Sequence, residues 1–176
     1  AVIMRSGRLV WMLALAHLEA NDRVGVIIES ARPLWLDAVT GRRAQYAIFN
    51  ALVDATTSSA DVPITTVSER SGVVPDGAAV IGVSPLARPR TIERLIALRS
   101  RGHRVGVVAV DSSADLARRA PDLDRSVSRL HALVFDERVA SLRRHGIAVT
   151  ISQHDDDIGA GVRSLLRSQR RAMVSR

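Results

Sequence analysis

Four short apolar runs rich in β-branched residues punctuate the chain: Val24–Ile28, Ala78–Val83, Val105–Val110 and Ile147–Ile151. Branching at Cβ favours strand over helix. A run that stays apolar instead of alternating is the signature of a strand covered on both faces. Between the runs lie longer segments whose apolar residues recur at helical spacing. Leu9–Leu18 is apolar almost throughout and reads as a helix buried on most sides, ended by Asn21-Asp22. A second helix starts at Thr40-Gly41, with Tyr46, Phe49, Leu52 and Val53 at helical spacing. Helix Thr91–Arg101 turns Ile92, Leu95, Ile96 and Leu98 toward a sheet, and helix Asp124–His145 presents Val127, Leu130, Val134, Val139 and Leu142 on one side. A last helix, from about Asp156, carries Ile158, Val162, Leu165 and Leu166, with Asp155–Asp157 and Arg167, Arg170 and Arg171 placed to suit its dipole.

Gly102 and Gly146 stand where a helix gives way to a strand, as a left-handed helix cap requires. Leu34–Leu36 is read as a further strand after a turn at Ala31-Arg32-Pro33, and the stretch from Thr56 to Gly77 as a long connection with one edge strand at Ile64–Val67. Strands and helices alternating in this way predict an α/β fold, a doubly wound and mostly parallel sheet with helices on both faces. The 176 residues suit one domain, 1–176.

Composition narrows the chemistry. The absence of cysteine excludes a disulfide framework, a thiolate metal site and a cysteine nucleophile. Aromatics are only 3%, so the core must be aliphatic. The net charge of +7 raises a nucleic-acid reading, but every one of the 25 basic residues is Arg and they are scattered over many segments. A binding face would cluster them. The longest unbroken apolar run, Leu9–Ala16, is far short of the roughly 20 residues that cross a bilayer. A start at Ala1 inside an apolar stretch leads to the expectation of a fragment whose upstream part is missing.

In an open α/β sheet, ligands collect beyond the C-terminal ends of the strands. The residues delivered there are Glu29, Ser84, Asp111 with Ser112 and Ser113, and Gln153–Asp157. Ser84, Asp111 and His154 occur in the chain order of an α/β-hydrolase triad. Pro85, however, follows the serine and has no N–H to offer an oxyanion. Gly159-Ala160-Gly161 lacks the third glycine of a dinucleotide fingerprint and follows three aspartates that would repel a pyrophosphate. The histidines, His17, His103, His131, His145 and His154, show no metal-ligand spacing. Asp111-Ser112-Ser113-Ala114-Asp115 is the better oxygen-rich cluster, although an Asp followed by serines after a strand more often closes a helix cap.

Several stretches together resemble the von Willebrand factor A-like family of bacterial proteins associated with MoxR-type AAA+ ATPases. They are Asn21-Asp22-Arg23-Val24-Gly25-Val26-Ile27-Ile28, Trp35-Leu36 with Thr40-Gly41-Arg42-Arg43, Val80–Leu86 with Pro89-Arg90-Thr91, and Leu98–His103. The resemblance runs in order from about Leu9 to the C-terminus. It implies a von Willebrand factor A-like sheet, here without its first strand, and a non-enzymatic interaction or scaffold role beside an AAA+ ATPase. It further implies a cytoplasmic location, at the membrane face if an upstream anchor exists. Full-featured relatives hold a divalent cation through D-x-S-x-S after the first strand, a loop Thr and an Asp after the central strand. Here D-x-S-x-S is absent, Thr40 lies near the position of the loop Thr, and Ser84-Pro85 stands where the Asp would be. The resemblance thus implies a degenerate metal site, with Thr40, Ser84, Asp111 and Ser113 as its residual candidates and no cofactor. The alternatives are a small hydrolase using Ser84, Asp111 and His154, or an arginine-rich nucleic-acid-binding domain.

Overall fold

The computed structural model describes residues 2–29, 34–57, 74–113 and 125–153. The chain divides into two compact units, Gly7–Val74 and Pro75–Arg176 with Ala1–Ser6. In chain order the elements are α1 (Val2–Glu19), β1 (Val24–Ile28), β2 (Leu34–Val39), α2 (Gly41–Thr57), β3 (Ala79–Ser84), α3 (Pro89–Ser100), β4 (Arg104–Val110), α4 (Arg125–Arg144) and β5 (Ala148–Ser152).

In the unit Gly7–Val74, β1 and β2 pair antiparallel, with a bulge between Val24 and Val26. The apolar run Val24–Ile28 therefore does not behave as a strand covered on both faces. Val26 alone is buried in it, and Ile27 is 41% exposed. The reason is its neighbour: an antiparallel pair needs only one face packed. Val26 joins Ala14 and Leu18 of α1 and Ala44 and Ile48 of α2 in one apolar cluster. Arg23 holds the open end of the pair, giving both Nε and an NH2 hydrogen to the Ala38 carbonyl at 3.2 and 2.9 Å.

Helix α2 also turns a different face inward from the one its larger side chains suggest. Ala44, Ile48 and Ala51 are buried, whereas Tyr46, Phe49 and Val53 are exposed. Two alanines let the helix approach the strands closely, and the aromatics are left outside. Phe49 keeps one partner, an edge-to-face contact with Trp11 of α1 at 5.7 Å between ring centres.

The second unit carries a three-stranded parallel sheet in the order β3-β4-β5. The central strand β4 is buried from Val105 to Val110, as its continuous apolar run predicts. Val105, Val107 and Ala109 pack with Ile92 and Leu95 of α3 and with Phe135, Val139 and Leu142 of α4. Helices α3 and α4 touch each other and so share this face. Sheet order follows chain order here, and successive crossovers of one hand stay on one side. Val108 and Val110, pointing to the opposite face, are fully buried as well.

Helix α4 is rotated relative to the sequence expectation. Its buried stripe is Phe135, Val139 and Leu142, while Val127, Leu130 and Val134 are exposed. The helix ends, in contrast, fall where expected. After α1, the Asp22 N–H reaches the His17 carbonyl and the Asn21 N–H the Leu18 carbonyl, with Asn21 at φ 61°. The same double bond closes α3 at Gly102 (φ 90°) and α4 at Gly146 (φ 70°). All three are Schellman caps, which need a residue that tolerates positive φ. The turn at Ala31–Pro33, the expected edge strand Ile64–Val67 and the final helix lie outside the described residues.

Candidate functional site

The parallel register brings the C-terminal ends of three strands to one edge. Ser84 lies beside Ala109, Val110 lies beside Ser152, and the Asp111 N–H bonds the Ser152 carbonyl at 3.0 Å. Ser84 and Asp111 thus reach the sheet edge where the sequence places them. Thr40 lies in the other unit, between β2 and α2, as does Glu29 after β1. His154, Asp115 and the Asp155–Asp157 run lie outside the described residues.

What Ser84 and Asp111 do at that edge is turn the chain. The Ser84 Oγ accepts the Leu86 N–H at 3.0 Å, and the Asp111 Oδ1 accepts the Ser113 N–H at 2.8 Å. Each is a side chain closing a turn onto the backbone two residues later. Among the described residues, this donor set is too poor in charge for a divalent cation. It offers one carboxylate, one of whose oxygens is already an acceptor, and hydroxyls that add no charge to offset dehydration of the ion. Among the described residues no three His, Asp or Glu side chains converge. Behind Asp111, the guanidinium of Arg5, only 5% exposed, donates to the Asp111 carbonyl at 2.9 Å and fixes the strand end.

Pro85 has no N–H, and the next amide along, that of Leu86, is bonded back to the serine. Neither residue following the hydroxyl therefore presents a free amide to a developing oxyanion. Leu86 itself is unusual. It is fully buried yet has φ 54°, a left-handed conformation that costs a branched side chain of order 1–2 kcal/mol. Its backbone is gripped at both ends, by Ser84 at the N–H and by Arg138 of α4, whose NH1 donates to the Leu86 carbonyl at 2.5 Å.

This grip shapes a feature with no local sequence signal. Pro85–Ala87 on one side and His131, Val134, Phe135 and Arg138 of α4 on the other enclose a hollow of about 30 Å³. A single water needs roughly 10–15 Å³ of such space, so the hollow has room for about two or three waters. His131 approaches the Ser112 hydroxyl through Nε2 at 3.4 Å, and its Nδ1 is buried without a hydrogen-bond partner. The one available clue in the sequence is that His131 and Arg138 are seven apart, two helical turns on the same face.

Two other histidines bond locally at helix ends. His17 Nδ1 meets Asp22 Oδ2 at 2.7 Å across the α1 cap, and His145 Nδ1 meets the Ser141 carbonyl at 2.8 Å. No helix among the described residues is long and apolar enough to cross a membrane. Comparison with protein-family models, with curated proteins and with solved structures finds no match.

Proposed function

We propose that this chain is a non-enzymatic protein–protein interaction domain of the von Willebrand factor A-like kind, with a degenerate metal site, working with a MoxR-type AAA+ ATPase. The observation that carries the non-catalytic half of this reading is the paired use of Ser84 and Asp111 as acceptors for the amides of Leu86 and Ser113. Both side chains serve as turn closers at the sheet edge, and the Leu86 amide is thereby taken, which supports the non-catalytic reading. The ordered stretches of resemblance, from Asn21–Ile28 to Leu98–His103, supply the partner. Exposed apolar side chains on α2 and α4 supply surface for it. Affinity capture of the tagged chain from its native host tests the pairing. A MoxR-type ATPase enriched over an untagged control is the expected result, and recovery without any such ATPase refutes it.

A further inference from the structure

We infer that the hollow between the β3–α3 loop and α4 is a docking pocket for a carboxylate side chain of a partner protein, flanked in that partner by an apolar residue. The inference rests on the interaction-domain reading above and names the chemistry of the segment recognised.

The polar inventory of the hollow is one-sided. Arg138 brings a guanidinium, with five N–H donors and no acceptor. Its NH1 is engaged on the Leu86 carbonyl. His131 lines the hollow too, but its Nδ1 is sealed from solvent, so the guanidinium is the charge the hollow presents. Among the described residues no acid lines the space, and the nearest acid along the helix, Glu137, is turned to Arg144 at 2.7 Å. A site that offers donors and positive charge and lacks anionic acceptors is complementary to an anionic oxygen. The volume, about 30 Å³, decides which. It suits the two oxygens of a carboxylate.

The surroundings say how the carboxylate is delivered. Val134 lines the hollow and is also 38% exposed, and Val127 and Leu130 continue the same flank of α4 outward at 46% and 61% exposure. At helical spacing these three form one apolar strip ending at the cationic hollow. A free carboxylate ion would leave the strip uncovered. A peptide segment with an Asp or Glu beside a Leu, Ile or Phe covers both, pairing its charge with Arg138 and its apolar side chain with Leu130 and Val127. Arg138 is held in place by the Leu86 carbonyl before any ligand arrives, so little order has to be imposed on binding.

Selection of random peptides displayed on phage against the whole chain, followed by fluorescence anisotropy of the best binder, tests the inference. Peptides sharing an acid next to an aliphatic or aromatic residue are expected. Replacing that acid with its amide, or introducing Arg138→Gln, is expected to weaken binding about tenfold or more, as removal of one member of a close charge pair does. Because Arg138 also braces Leu86, Val134→Asp serves as a second variant. It leaves that bond intact, places a like charge at the rim, and is expected to weaken binding to a similar degree. Failure to select any peptide, selection without a shared acid, or equal binding by both variants overturns the inference. Inorganic phosphate displacing the peptide at lower concentration than acetate overturns the carboxylate assignment. If Val134→Asp still captures the ATPase at wild-type yield, the hollow is not its docking site and the pairing stands. If acidic peptides bind at the hollow and no ATPase is captured, the pairing fails and the pocket stands.

Discussion

Replacing two leucines of α4 separately decides which way that helix faces. Helical periodicity put Leu130 and Leu142 on one side, yet at 100° per residue they are about 120° apart. In the structure Leu142 is fully buried and Leu130 is 61% exposed. Leu142 belongs to the cluster that includes Val107, Phe135 and Ile147, from both the sheet and the helix layer, so that site has little freedom to collapse. Leu142→Ala is therefore expected to cost about 2–5 kcal/mol, toward the upper end. Leu130→Ala removes a side chain that is mostly in water, and its cost is expected within about 0.5 kcal/mol. With a urea dependence of about 1–3 kcal/mol per molar, the first change lowers the unfolding midpoint by on the order of 1–2 M and the second hardly moves it. The assay must report on the right unit. Both tryptophans, Trp11 and Trp35, belong to Gly7–Val74, so fluorescence follows the other unit. Far-UV circular dichroism and hydrogen exchange at the β4 amides are the suitable readouts. Equal costs for the two variants, or a larger one for Leu130→Ala, would refute the assigned orientation.

Gly25→Ala is expected to destabilise the antiparallel pair. The new Cβ would stand 3.0 Å from the Leu36 carbonyl oxygen and 3.2 Å from the Ala38 nitrogen, both backbone. Overpacking of this kind costs about 1–3 kcal/mol, offset in part by about 0.4–1 kcal/mol from a stiffer unfolded chain, and tryptophan fluorescence in urea reads the balance. Gly146→Ala meets no close atom, since its nearest neighbours are Arg99 side-chain nitrogens at 3.7 Å. Its cost is that of a left-handed alanine, about 1–2 kcal/mol, and Gly146→Asn should recover part of it in the same denaturation series. Ser84→Ala leaves the Leu86 amide without its acceptor and should cost about 1–3 kcal/mol, whereas Asp111→Asn keeps the Oδ1 acceptor and should stay within about 1 kcal/mol. Hydrolysis of p-nitrophenyl acetate is expected at background for wild type and for Ser84→Ala. An activity that Ser84→Ala abolishes in a folded protein would sink the non-catalytic reading.

Local structure was largely legible in the sequence, because β-branched runs and helix-stopping glycines act over a few residues. The runs at Ala78, Val105 and Ile147 became β3, β4 and β5, and Gly102 and Gly146 took the positive φ their caps demand. Pairing was less legible. Val24–Ile28 looks like the other runs, and nothing within it tells that its neighbour will be antiparallel β2, because partner choice depends on residues far along the chain. Burial on α2 misled for a different reason. Tyr46, Phe49, Leu52 and Val53 recur at helical spacing, but close approach to the strands selects Ala44 and Ala51. At the candidate site, Ser84 and Asp111 were located correctly along the chain, while their bonding depends on loop conformations that residue type does not determine. The hollow was invisible for the same reason. It is lined by Leu86, whose left-handed conformation no leucine advertises.

The basic excess also reads differently once the guanidinium partners are known. Arg5 donates to the Asp111 carbonyl, Arg23 twice to Ala38, Arg138 to Leu86 and Arg143 to Val149 at 3.3 Å. Each of these carbonyls belongs to a strand or to the loop just beyond one, where the ladder leaves acceptors over. A guanidinium suits that work because its donors form a fixed planar fork, which the single ammonium of lysine cannot reproduce. A chain that has 25 arginines and no lysine can use several of them as braces for its own backbone. A brace keeps its charge, so it still counts toward +7, but its direction is set by a carbonyl and not by any partner. For these four arginines, charge alone does not say where the guanidinium points. Arg23→Lys tests the point: it preserves the charge, and it should still loosen the β1–β2 end that two guanidinium bonds now close.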